Sequence, residues 1–377
     1  MHQTLKLLIP DLPSADELYP WLKQIDHNLW YSNYGPLVLQ FEQQLCQLIQ
    51  SVASFDCESQ NLTTCSNGTS AIVLALKSLN LKPQSTILVP SFTFPATVSA
   101  IIEAGLKPML ADVDVATWQL TPSIVEALLP KHKIDAVLTV AALGSPVDSQ
   151  LWDSFSLKFA LPVVVDAAAA FGHQSIGTEC IYTFSFHATK NFAIGEGGLI
   201  ISAKENLIEK CRLMSNFGLK NFQVLVDGYN AKMSEYHAAV GLAQMRRWQA
   251  IKSLKHQMWK DYNHFILSYQ LPLTLQAIDD RFEFAPSTYV IKFDQFMSMD
   301  LVCEKFIEAK IETRKWYCPA VHKMPIYSES AISPISCATA MTVTNDLNRN
   351  CLGIPFHSKM ALKDKDILFN TLLAIFN

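Results

Sequence analysis

The sequence predicts an α/β fold built on a mainly parallel β-sheet. From about residue 60, short apolar runs alternate with stretches of helical periodicity, which is the pattern of successive βαβ units. Half of the 377 residues are hydrophobic and only 17% are charged, so the chain can bury a substantial core. At ~150 residues per domain this length suggests two or three domains, and the composition excludes a disordered chain.

The elements follow from apolar runs and helical spacing. Apolar residues recur at helical spacing in residues 70–79 and 122–129, which predicts a helix in each. Residues 83–102 carry no charge and could span a bilayer by length. Because Pro90 and Pro95 interrupt that run, we expect a buried strand, a loop and a helix instead. The clearest strands are predicted at residues 86–89, 136–140, 162–165, 182–186 and 199–202.

Two domains are expected, with a boundary near residue 250. Residues 233–262 predict one long helical region, and beyond it strands such as residues 288–293 mix with helices. We therefore assign residues 1–250 to a large domain and residues 251–377 to a smaller C-terminal α/β domain.

Composition excludes several classes of function. The 30 Lys and Arg residues nearly balance 34 Asp and Glu residues, and a net charge of −4 provides no field for binding nucleic acid. The nine cysteines are odd in number and lack a C-x-x-C pair, which favours reduced thiols in a cytoplasmic protein without a bound metal. Pro10, Asp11 and Pro13 interrupt the N-terminus before a leader can develop, so we expect neither export, nor glycosylation at Asn61 or Asn67, nor a membrane span.

The first chemical motif is Asn67-Gly68-Thr69-Ser70, which lies between an apolar run and the start of a predicted helix. Free backbone N–H groups and the positive end of the helix dipole favour a phosphate at such a position, and the two hydroxyls add donors. The same residues are also typical of an ordinary turn and N-cap, so the motif alone leaves both readings open.

The second motif is Asp166, which ends the almost wholly apolar run Val163-Val164-Val165. Open α/β sheets bind their ligands at this edge, where a buried carboxylate requires a cationic partner. The functional interpretation is a counter-charge for a protonated ring nitrogen. The structural alternative is a residue that caps the next turn.

The third motif is Lys190, which follows the strand-like Ser185-Phe186 and precedes the glycine-rich residues 195–198. A lysine held at a strand end can lose solvent and its proton, and can then form a Schiff base. Most lysines are solvated surface groups, and Lys190 alone is better explained that way.

The three motifs together fit pyridoxal phosphate (PLP), whose phosphate, ring nitrogen and aldehyde each need a separate partner. In its motifs the chain resembles the DegT/DnrJ/EryC1/StrS sugar aminotransferases, which are fold-type I PLP enzymes. This resemblance implies a mainly parallel seven-stranded sheet with helices on both faces. The matching stretches are NYGP, NGTSAIVLAL, VPSFTFPATVSAI, AGLKPMLADVD, VVVDAAAAFG, FSFHATKN with GEGG, GYNAKMSEYHAAVGLAQ, IETRKWYCPAVHKMPIY and LGIPFH.

The resemblance also implies a role for each site residue. Lys190 would be the Schiff-base lysine, and Asp166 would pair with the pyridinium nitrogen. Asn230 would reach the phosphate bound by a neighbouring subunit, which implies a homodimer with shared sites. The other cofactor contacts would be Gly68, Thr69, Ser70 and Ser185 at the phosphate, with Phe94 and Ala168 on the two faces of the ring. Substrate contacts would come from Tyr34, His187, Trp316, Tyr317 and His322, although ordinary packing is the alternative for the last three.

One residue departs from the family pattern. Family members commonly carry Gln, His or Glu three residues after the aspartate, near the phenolic oxygen of the cofactor, whereas this chain has Ala169. The partner of that oxygen is therefore open, but the Schiff base is not affected. Some relatives have histidine in place of the lysine and dehydrate the sugar, a chemistry that Lys190 argues against.

By this resemblance, the expected reaction is transfer of an amino group from L-glutamate to a nucleotide-linked keto-deoxysugar, for surface-polysaccharide or secondary-metabolite biosynthesis. The IETRKWY and DAAA stretches are most similar to enzymes that aminate carbon 4 of dTDP-4-keto-6-deoxyglucose. A carbon-3 aminotransferase is the nearest alternative, because no residue separates the two. A non-catalytic regulatory or scaffold protein is a further alternative, which the presence of Lys190, Asp166 and Ser185 disfavours.

Overall fold

The computed structural model describes residues 4–53, 55–279, 281, 283–293, 297–328 and 335–376. The helices in this part of the chain are α1 (Ala15–Asn28), α2 (Pro36–Ala53), α3 (Gly68–Ser78), α4 (Pro95–Glu103), α5 (Pro122–Leu128), α6 (Ser149–Phe159), α7 (Glu205–Met214), α8 (Glu235–Ser268), α9 (Met299–Glu308), α10 (Pro325–Ser328), α11 (Thr342–Asn350) and α12 (Leu362–Phe376). The strands are β1 (Leu62–Cys65), β2 (Thr86–Pro90), β3 (Lys107–Ala111), β4 (Ala136–Val140), β5 (Val163–Asp166), β6 (Ile181–Ser185), β7 (Gly198–Ile201), β8 (Leu219–Lys220), β9 (Gln223–Val224), β10 (Leu273–Thr274), β11 (Tyr289–Phe293), β12 (Arg314–Lys315), β13 (Ser336–Cys337) and β14 (Cys351–Ile354).

A mainly parallel sheet forms the centre of the molecule. Its strand order is β1-β7-β6-β5-β4-β2-β3-β13, and only β7 runs antiparallel to its neighbours. The predicted α/β class is thus confirmed. Seven of the strands are β1 to β7, and the eighth is the two-residue β13, which extends the edge beside β3.

The predicted elements match the observed ones closely. Each of the five predicted strands lies within two residues of an observed one, from β2 to β7. The helices α3 and α5 also form where helical spacing predicts them. Residues 83–102 contain the expected strand, loop and helix as β2 and α4. None of the helices in the described residues is long and apolar enough to cross a membrane.

Helices cover both faces of the central sheet. Strand β5 shows why, since Val163 and Val165 enter one hydrophobic cluster while Val164 enters another on the opposite face. Side chains alternate between the faces of a strand, so an all-apolar strand needs cover on both sides. On the first face pack α1, α2, α5, α6 and α8, and on the second α3, α4 and α7.

A second, antiparallel sheet with strand order β10-β11-β14-β12 carries its own hydrophobic cluster. The 34-residue helix α8 joins the two cores, because its Trp248 packs in the first and its Tyr262 in the second. Residue 250 lies inside this helix. The division of the chain at that residue stays a prediction.

Candidate active site

Most of the predicted site residues line a cavity of about 740 Å³ at the carboxyl edge of the central sheet. Strands β4, β5 and β6 are parallel, so their last residues meet at this edge. The opposite wall lies in and beside the second sheet and consists of Ser287, Thr288, Arg314, Trp316 and Tyr317. The predicted residues that line the cavity are Gly68, Thr69, Ser70, Phe94, Asp166, Ala168, Ser185, His187, Lys190, Trp316 and Tyr317.

One end of the cavity is the start of helix α3. The Asn67 side chain caps this helix, because its Oδ1 accepts the backbone N–H of Ser70 at 2.8 Å. The first backbone N–H groups of a helix have no partner within the helix, so those of Gly68 and Thr69 are suited to an anion. Gly68 is required there, because a Cβ would lie 2.7 Å from the Cβ of Ser185. Because Gly68 has no side chain, the Ser185 side chain can lie directly against the first residue of α3.

Asp166 ends β5 and lies at the floor of the cavity with only 6% of its surface exposed. Its Oδ2 accepts the hydroxyl of Thr97 at 2.8 Å, and its Oδ1 accepts the backbone N–H of Ala168 at 3.1 Å. Burial raises the pKa of Asp166, whereas these two hydrogen bonds and the charge of Lys190 act to lower it. The net pKa of Asp166 is raised, and the two hydrogen bonds and Lys190 offset only part of the cost of ionising a buried carboxyl group.

A second threonine orients the first. The Oγ1 atoms of Thr93 and Thr97 are 2.7 Å apart, and both side chains are buried. Since the Thr97 hydroxyl donates to Asp166, Thr93 donates to Thr97. Neither residue was predicted from the sequence. The available signal was a threonine just before the predicted helix and another in its first turn, on the two sides of Phe94 and Pro95.

Lys190 lies in the turn that follows β6, where its backbone N–H donates to the carbonyl of His187 at 2.9 Å. Its side chain faces the cavity. Burial lowers the pKa of the Lys190 ammonium, and the attraction of Asp166 partly opposes this shift. A larger fraction of the lysine is therefore the neutral amine, the form that can act as a nucleophile or a base.

The opposite wall holds Trp316 and Tyr317. The Tyr317 hydroxyl accepts the backbone N–H of Leu143 at 3.3 Å, and its ring packs edge-on against Phe92 at 5.0 Å. Burial raises the pKa of Tyr317 to about 12, so its hydroxyl stays protonated. Arg314 also lines this wall and was not predicted as a site residue.

Two further predicted positions lie at the cavity. Nδ1 of His187 is 2.8 Å from the Thr189 hydroxyl, and its Nε2 is 3.7 Å from a carboxylate oxygen of Glu196. Ala169 contributes a methyl group and no polar side-chain atom, as the sequence indicates.

Three predicted site residues lie outside the cavity lining. The Tyr34 hydroxyl contacts the hydroxyl of Ser215. His322 is hydrogen-bonded through Nδ1 to Ser91 at 2.6 Å and lies 3.2 Å from Asn345 through Nε2. Asn230 is exposed and accepts the ammonium of Lys232 at 2.8 Å. The substrate and partner-subunit roles expected for these residues stay predictions.

The arrangement fits PLP at three points. The α3 start with Ser185 suits a phosphate, buried Asp166 suits a protonated ring nitrogen, and Lys190 supplies an amine for the aldehyde. Within the described residues, no group of three or more His, Cys, Asp or Glu side chains could hold a metal ion.

Known proteins match this chain over most of its length. The model of the DegT/DnrJ/EryC1/StrS aminotransferase family matches residues 15–372. GDP-perosamine synthase of Escherichia coli O157:H7 is 30% identical over 328 residues, which cover 85% of this chain and 86% of that protein. dTDP-4-amino-4,6-dideoxy-D-glucose transaminase of Shigella dysenteriae is 31% identical over 254 residues, 65% of each chain. Among solved structures, a candidate PLP-dependent aminotransferase of Bacillus cereus ATCC 10987 is 27% identical, with a TM-score of 0.88 over 99% of this chain and 100% of that one.

Proposed function

This chain belongs to the DegT/DnrJ/EryC1/StrS aminotransferase family, and from that premise we propose that it transfers an amino group from L-glutamate to carbon 4 of dTDP-4-keto-6-deoxyglucose. The PLP dependence of the enzyme follows from the family match and from the PLP-dependent structural neighbour. The dTDP sugar and carbon 4 rest on similarity to the Shigella dysenteriae transaminase. The observation that supports the activity most strongly is the meeting of Lys190, Asp166 and the α3 start in one cavity.

Each residue that faces the cofactor has a separate proposed role. Bound PLP supplies an aldehyde that takes up the amino group and a ring that stabilises negative charge beside it. Lys190 would hold the aldehyde carbon of bound PLP and release it to the incoming amino donor. The amine of Lys190 would then act as general base and acid and would move a proton in each half-reaction. The lowered pKa of Lys190 favours the neutral amine that this step requires.

Asp166 would hold a proton on the ring nitrogen of bound PLP, and this protonation would stabilise the negative charge that develops at the reacting carbon. The hydrogen bonds from Thr97 and Ala168 fix the carboxylate in position and favour its ionised form. Phe94 and Ala168 lie on the cavity wall where they can cover the two faces of the ring. Trp316, Tyr317 and His187 border the remaining space, which we assign to the sugar.

The proposed assembly is a homodimer in the cytoplasm, with each site completed by Asn230 of the other subunit. Asn230 is exposed and forms an isolated antiparallel bridge with Asn216, which precedes the hairpin of β8 and β9. Apolar side chains on this hairpin are exposed, with Phe222 fully so and Val224 at 67%. Exposed apolar groups in a cluster favour a protein interface, and a second copy of the chain would cover them.

Spectroscopy and substrate assays test the proposal together. Enzyme reconstituted with PLP should absorb near the visible edge, lose that absorbance on addition of L-glutamate and recover it on addition of dTDP-4-keto-6-deoxyglucose. A panel with a 3-keto isomer and with GDP-linked sugars identifies the carbon and the nucleotide. Loss of absorbance without recovery by any keto-sugar would contradict the proposed acceptor, and no response to glutamate would contradict the donor.

A further inference from the structure

The wall opposite Asp166 carries a guanidinium group with no anionic partner in the described part of the chain. Arg314 lies on β12, the edge strand of the second sheet, and its side chain borders the cavity. Its Cζ lies 4.3 Å from the centre of the Trp316 ring. By contrast, Arg212 pairs with Glu42 and Arg247 pairs with Asp11.

The stacking leaves the hydrogen-bonding edge of Arg314 available. A guanidinium that lies over an aromatic face presents its N–H donors sideways, and their fork matches the two oxygens of a carboxylate or phosphate. Contact with the ring also restricts the long side chain, which reduces the entropy lost on binding. Arg314 is thus organised before any ligand arrives.

Gly353 on β14 holds the indole in place. Gly353 is the partner of Arg314 in the β12–β14 register, and the Trp316 ring packs directly over it. A Cβ at Gly353 would lie 2.6 Å from Cδ1 of Trp316, so any side chain there would displace the ring. The register, the glycine and the indole together fix where the guanidinium lies.

Among the described charged groups that line the cavity, Arg314 is the cation that has no role assigned to it so far. Lys190 and the α3 start are assigned to the cofactor, while Asp166, Glu103 and Glu196 are acidic. His187 lies next to Glu196. Arg314 is therefore the permanent cation that the described wall leaves for a substrate. Both substrates of the proposed reaction are anions, since an amino donor carries a carboxylate and a nucleotide sugar carries a diphosphate.

We propose that Arg314, held by Trp316, binds an oxyanion of a substrate during transamination. This inference rests on the proposed function and adds a binding residue to that site. The shared chemistry is a pair of oxygens that accept two parallel N–H bonds. The two sources are the donor carboxylate and the acceptor diphosphate, and the half-reactions separate them.

The test measures each half-reaction of the PLP-loaded enzyme by its absorbance. In Arg314→Gln, the KM for one substrate should rise about tenfold or more, because a charge-assisted bidentate contact is lost. A rise confined to the glutamate half-reaction identifies the carboxylate, and a rise confined to the keto-sugar half-reaction identifies the diphosphate. Arg314→Lys should give an intermediate KM, since it keeps the charge but loses the fork.

Lys315→Gln is the matched control, because it removes the same charge one residue along β12. Lys315 pairs with Asp300 outside the cavity, so its KM values should stay within about twofold of the wild-type values. Trp316→Leu keeps the guanidinium but removes its support, and it should raise the same KM as Arg314→Gln by a smaller factor.

Calorimetry with glutarate and with pyrophosphate gives a readout that does not depend on turnover. One of these probes should bind the wild-type holoenzyme and bind Arg314→Gln about tenfold or more weakly. Unchanged KM values and unchanged probe binding in a folded Arg314→Gln protein would overturn the inference. A wild-type enzyme that binds a probe through Arg314 but aminates no keto-sugar would contradict the proposed function alone.

Discussion

The two walls of the cavity are built in different ways. On the central-sheet wall, Asp166 is buried and receives two hydrogen bonds, and the threonine that donates one of them is itself held by another. On the second-sheet wall, Arg314 is exposed on a two-residue strand and is held by one aromatic contact. The carboxylate on the first wall is thus fixed by hydrogen bonds, which suits chemistry that is common to all PLP transamination. On the second wall a substitution would disturb fewer contacts. Such a wall can change between proteins, which suits the recognition of a particular substrate.

Among substitutions on the first wall, Lys190→Ala should reduce turnover the most. Both the attachment of the cofactor aldehyde and the proton transfer are lost, so turnover should fall by at least about 10³-fold. The measurement is the overall transamination rate with saturating PLP. Lys204→Ala is the control, because Lys204 pairs with Glu179 outside the cavity lining and its loss should leave the rate unchanged.

Borohydride reduction of the wild-type holoenzyme locates the attachment independently. Mass spectrometry of the digested protein should find the reduced cofactor on the peptide that contains Lys190. An adduct on any other lysine would show that the site assignment is wrong.

The sequence predicts this wall well because its residues follow local patterns. Asp166 ends an apolar run, and Asn67 to Ser70 begin a helix, so neighbouring residues reveal their positions. Thr97 was missed because its partner Asp166 is 69 residues away, and only the fold brings the two together. The two-residue strand β13 was missed because it is too short to show periodicity.

The second wall is harder to derive from sequence. The pairing of Arg314 with Gly353 joins segments that are far apart in the chain, and the stacking of Arg314 on Trp316 depends on that pairing. The family resemblance predicts that Trp316 and Tyr317 face the substrate, but it does not reveal the guanidinium beside them. The boundary at residue 250 has a related problem, because α8 is continuous across it and belongs to both cores.

Asp166→Asn should have the next largest effect. The amide keeps the shape of the side chain but cannot hold a proton on the ring nitrogen as an anion does, so turnover should fall about 10²-fold or more. Cofactor occupancy should change little, because the phosphate and lysine contacts remain. Turnover and bound PLP are measured on the same sample, and Asp227→Asn at the surface is the control. Near-normal turnover would remove Asp166 from the mechanism.

Thr97→Val tests how much the hydrogen bonds of the first wall contribute. Loss of a hydrogen bond to a charged group costs about 1.5–3 kcal/mol, so turnover at neutral pH should fall about tenfold or more. The Thr97 bond acts to lower the pKa of Asp166, so its removal raises that pKa. The ionised form is lost as pH falls through the pKa, and the acid limb of the rate profile should therefore move to higher pH.

Thr97→Ser separates this effect from simple packing damage. Serine keeps the hydroxyl, so its acid limb should coincide with that of the wild type even if its rate is somewhat lower. An acid limb that stays in place in Thr97→Val would show that the bond does not support the ionised carboxylate.

Asn230→Ala should have the smallest effect. It tests whether a second subunit contributes Asn230 to the phosphate end of the cavity. Asn230 lies outside the cavity lining, so its loss should weaken PLP affinity severalfold only if a second subunit brings it to the phosphate.

A mixed dimer tests this sharing directly, because in a two-fold dimer every shared contact occurs twice. A mixed dimer of Lys190→Ala and Asn230→Ala chains then holds one site with both residues intact. At limiting PLP, the mixture should be more active than either parent. Activity equal to the average of the parents, or an active monomer at assay concentration, would place each site within a single chain and leave the Lys190 chemistry intact.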